Sequence, residues 1–291
     1  VIAIGGLLFT LFCVFGGFAL SGGSVSAVAD ALPFELLTIC GAAAGSFVMA
    51  NSIHVVKATL IGLRSVLGGT RYRQEDYIDL LSLLYRLIRL LATKGIMAVE
   101  SHIENPLESP IFNDHAKILH NDEVVPIICD YFRMISMDAD DPYQVEDVMG
   151  RELKKTLVEK MHPVHALQGM ADGLPALGII AAVLGVIKTM THINEPPMIL
   201  GEMIGSALVG TFLGVLLAYC LVGPIAGRLK QVIEEEARFL EVIRATVVSH
   251  LHGNPPQVSI ETGRKMVPNE FMPTFVSLET TLEQARLAIR A

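Results

Sequence analysis

Residues 174–190 read Leu-Pro-Ala-Leu-Gly-Ile-Ile-Ala-Ala-Val-Leu-Gly-Val-Ile-Lys-Thr-Met, and this stretch decides the class of fold. Lys188 is its single charge. With Thr191 added, the run approaches the ~20 apolar residues that a helix needs to cross the hydrocarbon core of a bilayer. Pro175, Gly178, Ala182, Gly185 and Thr189 recur at steps of 3, 4, 3 and 4, so a helix gathers them on one face. All but the proline are small, which makes that face narrow and smooth. A second run, residues 199–222, has Glu202 as its only charge, close to one end. It repeats the pattern with Ala207, Thr211, Gly214 and Ala218, flanked by Gly201, Gly205 and Gly210. In lipid such stripes let two backbones approach, and hydroxyls such as that of Thr211 bridge helices. Two readings stay open: the stripes pack these helices on each other, or they face another chain's helix or a wet path.

Working outward, residues 1–20 carry no charge, and residues 33–56 carry only Glu35 and His54, both near the ends. Four spans are therefore expected, as two hairpins separated by a long charged segment. Ala27-Val28-Ala29 resembles a signal-peptide cleavage site. The first apolar run is too long for such a peptide's core and no basic segment precedes it, so a retained span is expected. The whole composition agrees: 52% of the 291 residues are hydrophobic and 18% charged, against about 25% charged in soluble domains. Net charge is −8, which argues against a nucleic-acid partner, because phosphate backbones call for a basic patch. Cys13, Cys40, Cys129 and Cys220 fall singly, with no disulfide framework or CxxC metal pattern.

Lys and Arg set the orientation. Residues 21–32 and 192–198 have none, whereas Lys57, Arg64, Arg71 and Arg73 follow the second span and Arg228 and Lys230 follow the fourth. The short loops are expected outside and both termini in the cytoplasm. The chain divides accordingly into a hairpin at 1–56, a cytoplasmic helical domain at 57–170, a second hairpin at 171–223 and a cytoplasmic helical tail at 224–291. The middle holds 13 Lys or Arg and 17 Asp or Glu. Tyr77, Leu80, Leu81, Leu84, Leu87, Ile88 and Leu91 make one apolar helical face. Residues 124–137 and 145–161 also read as helices, with turns at Asn105-Pro106, Ser109-Pro110 and 138–142. In the tail a helix is expected through about Ser249, then a break at 252–256 and a last helix over 275–288. The fold class is all-α, polytopic in the membrane.

Enzyme signatures are missing from the sequence: no GxxxxGK[ST], HExxH or GxSxG occurs. His162 and His165 form a close pair but lack a nearby acidic or cysteine co-ligand, so they read as membrane-surface histidines rather than a metal site. Ion carriers place an ionisable Asp, Glu or His at depth; none of the four predicted spans has a carboxylate near its middle. A proton path would therefore take its titrating group from a partner. Lys188, about a turn from the outer end, reads as snorkelling to the surface. Pro175 is expected in the first turn of its helix, and Gly223-Pro224 is expected to end the fourth span. The two prolines are helix punctuation or a hinge.

Several segments are specific enough to carry a resemblance. They are residues 14–23 (VFGGFALSGG), 45–47 (GSF), 79–87 (DLLSLLYRL), 101–108 (SHIENPLE), 174–190, 209–219 (VGTFLGVLLAY) and 263–265 (GRK). In order and spacing the chain resembles the MotA/PomA family of flagellar stator subunits over essentially its whole length. The resemblance implies a multi-pass subunit of the bacterial inner membrane, without a cofactor. It implies a pentameric ring around a dimer of the single-span partner MotB, whose helix supplies the proton-accepting Asp. It assigns ion-path and coupling roles to Pro175, Thr211, Tyr219 and Pro224. Sodium-driven relatives have threonine where this chain has Ala182, which favours protons, since a dehydrated sodium ion needs oxygen ligands that a methyl group lacks. The family also pushes on the rotor protein FliG with charged residues. Glu100 matches the acidic position, while Ala92 stands at the basic one. Arg89 and Lys94, within a turn of it, are the substitutes, unless they merely form a solvated face. An ExbB/TolQ-like energiser of outer-membrane processes is the alternative; three spans would be expected of it.

Overall fold

A computed structural model describes residues 2–68, 72–137 and 141–288, and among them there is no β-strand. The helices run in order α1 (Ile2–Leu20), α2 (Val25–Ala50), α3 (Ile53–Gly68), α4 (Gln74–Lys94), α5 (Ile96–Glu104), α6 (Pro110–Asn113), α7 (Ala116–Leu119) and α8 (Val124–Ser136). Then come α9 (Pro142–Met190), α10 (Pro197–Leu217), α11 (Gly223–Leu251), α12 (Pro256–Met266) and α13 (Phe275–Ala288). They form two compact units: residues 1–69 with 160–232, and residues 70–159 with 233–291.

The first unit turns its apolar side chains outward. Phe9, Phe12, Ile179, Val183 and Ile187 are each more than half exposed, whereas its buried cluster is small, centred on Ile39, Ala43, Leu174, Ala181, Leu213 and Ala218. An apolar surface of this extent marks contact with lipid or another chain. The chain is a membrane protein. Among the described residues, three helical stretches are long and apolar enough to span a bilayer: Val28–Ala50, Pro142–Met190 and Pro197–Leu251. The apolar helix Ile4–Leu20 is shorter; Phe15 from it packs edge-on against Phe212 with ring centroids 6.0 Å apart.

Helix boundaries depart from the expected spans in three places. The second begins at Val25, so Pro33 lies inside it, and it ends at Ala50 rather than near residue 56. Asn51 ends it by donating Nδ2–H to the Phe47 carbonyl at 2.8 Å. Ser52 Oγ then accepts from the Val55 amide at the start of α3. The third lies inside one 49-residue helix with Pro163 and Pro175 in its interior, so Pro175 is not in a first turn. A proline there removes the amide bond to residue i−4. Burial of Val164, Leu167, Ala171 and Leu174 on the surrounding turns holds the helix together. The fourth does not stop at Gly223-Pro224. A π-helical turn, Ala218–Val222, leads directly into α11. Pro224 has no amide to offer the Cys220 carbonyl, and the wider turn lets Gly223 N–H reach the Ala218 carbonyl instead.

The second unit has an ordinary buried core. Helix α4, expected to have one apolar face, is enclosed all round: residues 80–88 are buried, Ser82, Tyr85 and Arg86 included. At its N-terminus Phe239 stacks on Tyr72 at 3.8 Å and lies 5.1 Å from Tyr77. Asp76, 2% exposed, accepts from the Arg73 amide at 2.7 Å and pairs with Lys117. Of the predicted turn at 138–142, residues 138–140 lie outside the described residues, as does Arg71. Asp141 Oδ1 accepts from the Tyr143 amide at 3.0 Å, capping α9. The break at 252–256 is followed by α12, which the sequence reading missed. Here the GRK segment has a structural task. A Cβ at Gly263 would run into Thr246 Oγ1 and come within 3.0 Å of Leu81, so glycine lets α12 lie close.

Arg264 beside it is 6% exposed. It donates to Glu261 through Nε (2.7 Å) and Nη2 (2.6 Å), and to the Pro273 carbonyl through Nη1 (2.9 Å). Those bonds hold the Glu261 carboxyl below the usual carboxylate range. A carboxyl held down in the folded state stabilises above its unfolded pKa of about 4.3, and that stability is lost as pH falls through the folded value. Resistance of the purified protein to thermal unfolding is therefore expected to weaken on acidification below about pH 4, and Glu261→Gln to remove part of that dependence. An unchanged acid slope in the variant would refute it.

Candidate functional site

The small-residue faces of α9 and α10 meet. A Cβ at Gly178 would lie 2.7 Å from the Gly210 carbonyl oxygen and 3.3 Å from Thr211 Cα. One at Gly210 would lie 3.2 Å from the Ala182 nitrogen, and one at Gly214 2.7 Å from the Leu174 oxygen and 2.8 Å from Gly178 Cα. One at Gly185 would overlap Ala207. For these glycines the packing reading holds. Their Cα atoms touch the neighbouring backbone, which no larger residue permits. Gly201 and Gly205 have nothing within 4 Å and belong to an open face.

The seam brings together three of the sequence-derived positions. Ala182 and Thr211, both half-buried, lie on it a turn apart, and Pro175 lies at the level of Gly214. Tyr219 stands apart on the π-helical turn, 71% exposed. Pro224 is exposed in the first turn of α11. His162 and His165 are exposed and line an open groove of about 740 Å³ with Ser46, Asn51 and Ser52.

One residue on this seam escaped the sequence reading. Because α2 begins at Val25, Glu35 stands ten residues into it, about 15 Å along the axis at 1.5 Å per residue. Its Oε2 would be 2.6 Å from a Cβ at Gly210. That oxygen is closed off from solvent and has no hydrogen-bond partner among the described residues. The expectation that the spans lack a carboxylate at depth is therefore corrected: Glu35 reaches the middle of α10, and only the misplaced start of α2 had put it at an end. The signal was available in the run of small residues before Pro33, which is compatible with helix. Glu35 also lines an open cavity of about 1140 Å³, together with Asp30, Thr38, Lys188, Glu202 and Ser206. Three carboxylates and five hydroxyls against one ammonium favour a cation there.

The second candidate surface lies at the joint of α4 and α5. Gly95, with φ +81°, makes the turn between them and donates its amide to the Leu91 carbonyl at 3.0 Å. The backbone there is left-handed, which favours glycine. Lys94 is exposed just before it, and Glu100 is half-buried one turn into α5. Arg89 is half-buried, with its guanidinium 6.0 Å above the Tyr85 ring and one terminal nitrogen enclosed without a hydrogen-bond partner among the described residues. Of the two cations, Lys94 is the one displayed. Glu104 on the same helix bonds Arg133 of α8 at 2.7 Å, which holds its carboxyl below the usual range.

Outward-facing apolar side chains and a close-packed seam of small residues define a polytopic helical membrane protein, and the comparisons with known proteins agree. Residues 4–95 match the family described as motility protein A N-terminal, and residues 114–242 match the MotA/TolQ/ExbB proton channel family. The chain is 37% identical to motility protein A of Escherichia coli strain K12, over 94% of this chain and 92% of that one. Two solved structures share its fold. One is a C. jejuni MotAB structure, at TM-score 0.76 and 18% identity over 94% of this chain and 98% of that one. The other is the flagellar MotAB stator complex of Bacillus subtilis, at 0.68 and 22% over 95% and 98%. The chain belongs to the motility protein A family of flagellar stator proteins.

Proposed function

We propose that this chain is the ring-forming subunit of a proton-driven stator, assembling as a pentamer around a MotB-like single-span partner and turning the rotor through FliG. The observation that carries the reading is the seam on which Ala182, Thr211 and Glu35 converge between backbones in contact. The partner's Asp, supplied beside Thr211 and Ala182, takes the proton, and its neutralisation shifts ring against dimer. Ala182 offers no oxygen to a dehydrated cation, which supports protons over sodium. The acidic cavity around Glu35 gathers cations at the outer mouth, and Pro175, Tyr219 and Pro224 lie along the route from the seam to the cytoplasmic side. The termini and the second unit then face the cytoplasm, with Lys94 and Glu100 toward the rotor and Arg89 held back by its own packing.

Two measurements test this. Deletion of the gene is expected to leave flagellar filaments that do not turn, restored by this chain only together with its partner. Filament rotation that survives in cells lacking every other stator would overturn the reading. A leaky envelope with normal swimming would transfer it to the ExbB/TolQ class. Thr211→Leu is expected to cut proton flux about tenfold, the effect of adding about 1.4 kcal/mol to a barrier, while the ring still assembles. Normal flux through that variant would remove Thr211 from the path.

A further inference from the structure

Helix α3 follows α2 in the first unit, and its two long faces differ. Thr59 and Val66 are buried on one face. Gly62, between them, lies against Leu229 of α11, where a Cβ would come within 3.1 Å of Leu229 Cδ1. On the opposite face Ile53, Leu60 and Ile61 are 69%, 62% and 69% exposed, and Lys57 and Arg64 stand exposed among them. At 3.6 residues per turn these five positions form one stripe. Neither cation makes an ion pair or a hydrogen bond among the described residues. Residues 36–74 hold four Lys or Arg and no Asp or Glu, so no carboxylate of this stretch neutralises the stripe.

The helix also lies at the right level for a bilayer surface. Val28 and Asp30 line one cavity with Met198 and Glu202, so α2 and α10 run parallel from a common level. Glu35 meets Gly210, and α2 therefore ends, at Ala50, beside about Ile225 of α11. Leu229 is one turn further, about 6 Å along the axis at 1.5 Å per residue. To reach it, α3 uses the stretch from Ile53 to Gly62, about 14 Å of helix. So α3 runs more across the direction of the spans than along it, with its exposed stripe turned away from α11.

A helix along the surface, with apolar side chains set among cations, suits the boundary between acyl chains and headgroups. Ile53, Leu60 and Ile61 supply the apolar part, and the aliphatic stems of Lys57 and Arg64 carry their charges out to the phosphates. We propose that the outward stripe of α3 binds the headgroups of anionic phospholipids, with Lys57 and Arg64 as the phosphate-binding residues. An anionic headgroup is favoured over a zwitterionic one because the two cations leave the stripe with a net positive charge. Such a contact needs only a membrane beside the helix, neither proton flow nor a rotor.

The chain has no tryptophan, so Ile61→Trp puts a single reporter on the stripe. The complex with the partner subunit is reconstituted in phosphatidylcholine vesicles. Its fluorescence is quenched with dibrominated phosphatidylglycerol or, separately, dibrominated phosphatidylcholine, and the signal of the complex without the substitution is subtracted. At low salt the anionic quencher is expected to bind on the order of 5–25 times more strongly, about fivefold for each basic residue. That preference should vanish when Lys57→Gln and Arg64→Gln are combined, and should fall in about 1 M salt. It should persist when Lys57→Arg and Arg64→Lys are combined. Equal quenching by the two lipids, or a preference kept by the combined Gln variant, overturns the proposal. Quenching by neither lipid also overturns it, and is the result expected if a second copy of the chain covers the stripe. Should the Gln variant fail to assemble, salt decides alone, and a preference unmoved by salt overturns it.

Discussion

Gly214→Val is expected to abolish swimming and to deplete the protein from the membrane. A Cβ at this position would sit 2.7 Å from the Leu174 carbonyl oxygen and 2.8 Å from Gly178 Cα. Both are backbone atoms of α9, so no rotamer change relieves the clash and the two helices must part. Overpacking a close contact costs on the order of 1–3 kcal/mol when side chains can adjust, and about 3 kcal/mol or more is expected where they cannot. Parting the helices also moves Ala182 away from Thr211, so ion flux should fall even in the fraction that folds. Gly201→Ala is the matched control, since nothing lies within 4 Å of Gly201. The pair can be compared by quantifying the membrane-bound protein, by thermal unfolding in detergent and by spreading in soft agar. A Gly214→Val chain as abundant and as motile as Gly201→Ala would show that the α9–α10 contact has slack.

Phe239→Ala is expected to cost the second unit about 3–5 kcal/mol, the range for deleting a buried phenylalanine. Phe239 is fully buried and touches two aromatic rings, stacked on Tyr72 and tilted against Tyr77. Neither neighbour can fill the space. Tyr72 Oη is tied to Asn121 at 3.0 Å, and Tyr77 also stacks at 6.3 Å on Phe271. Since a domain's whole stability is about 5–15 kcal/mol, the loss should show as proteolysis of the unit and as non-rotating filaments. Phe239→Leu, which keeps most of the volume, should restore both. Limited proteolysis of the purified chain measures the first effect directly, and a Phe239→Ala chain as resistant as the parent would refute it.

The lesson for reading such a chain lies in which features were local. Membrane character, the all-α class and the small-residue stripes follow from composition and from spacing along one helix, and these the sequence determined by itself. The stripes were ambiguous because spacing shows that residues share a face without showing what the face meets. Contact between α9 and α10 decided for packing at Gly178, Gly185, Gly210 and Gly214, and left Gly201 and Gly205 open. Span boundaries failed where proline was read as punctuation. Pro33 and Pro175 sit inside helices; at Pro175, burial on the surrounding turns outweighs one missing amide bond.

What only the tertiary structure decided is the set of partners from distant parts of the chain. Glu35 meets Gly210 and Arg86 meets Asp114, and charge counting along the sequence sees neither. The same holds for Arg89 and Lys94. They are equivalent cations in one dimension, and they differ once Arg89 is laid over Tyr85 and Lys94 is left in the open. Hydropathy and periodicity report the preference of each residue for lipid, water or core. Which polar group survives away from water is settled by the neighbour that solvates it, and that neighbour is brought up by the fold.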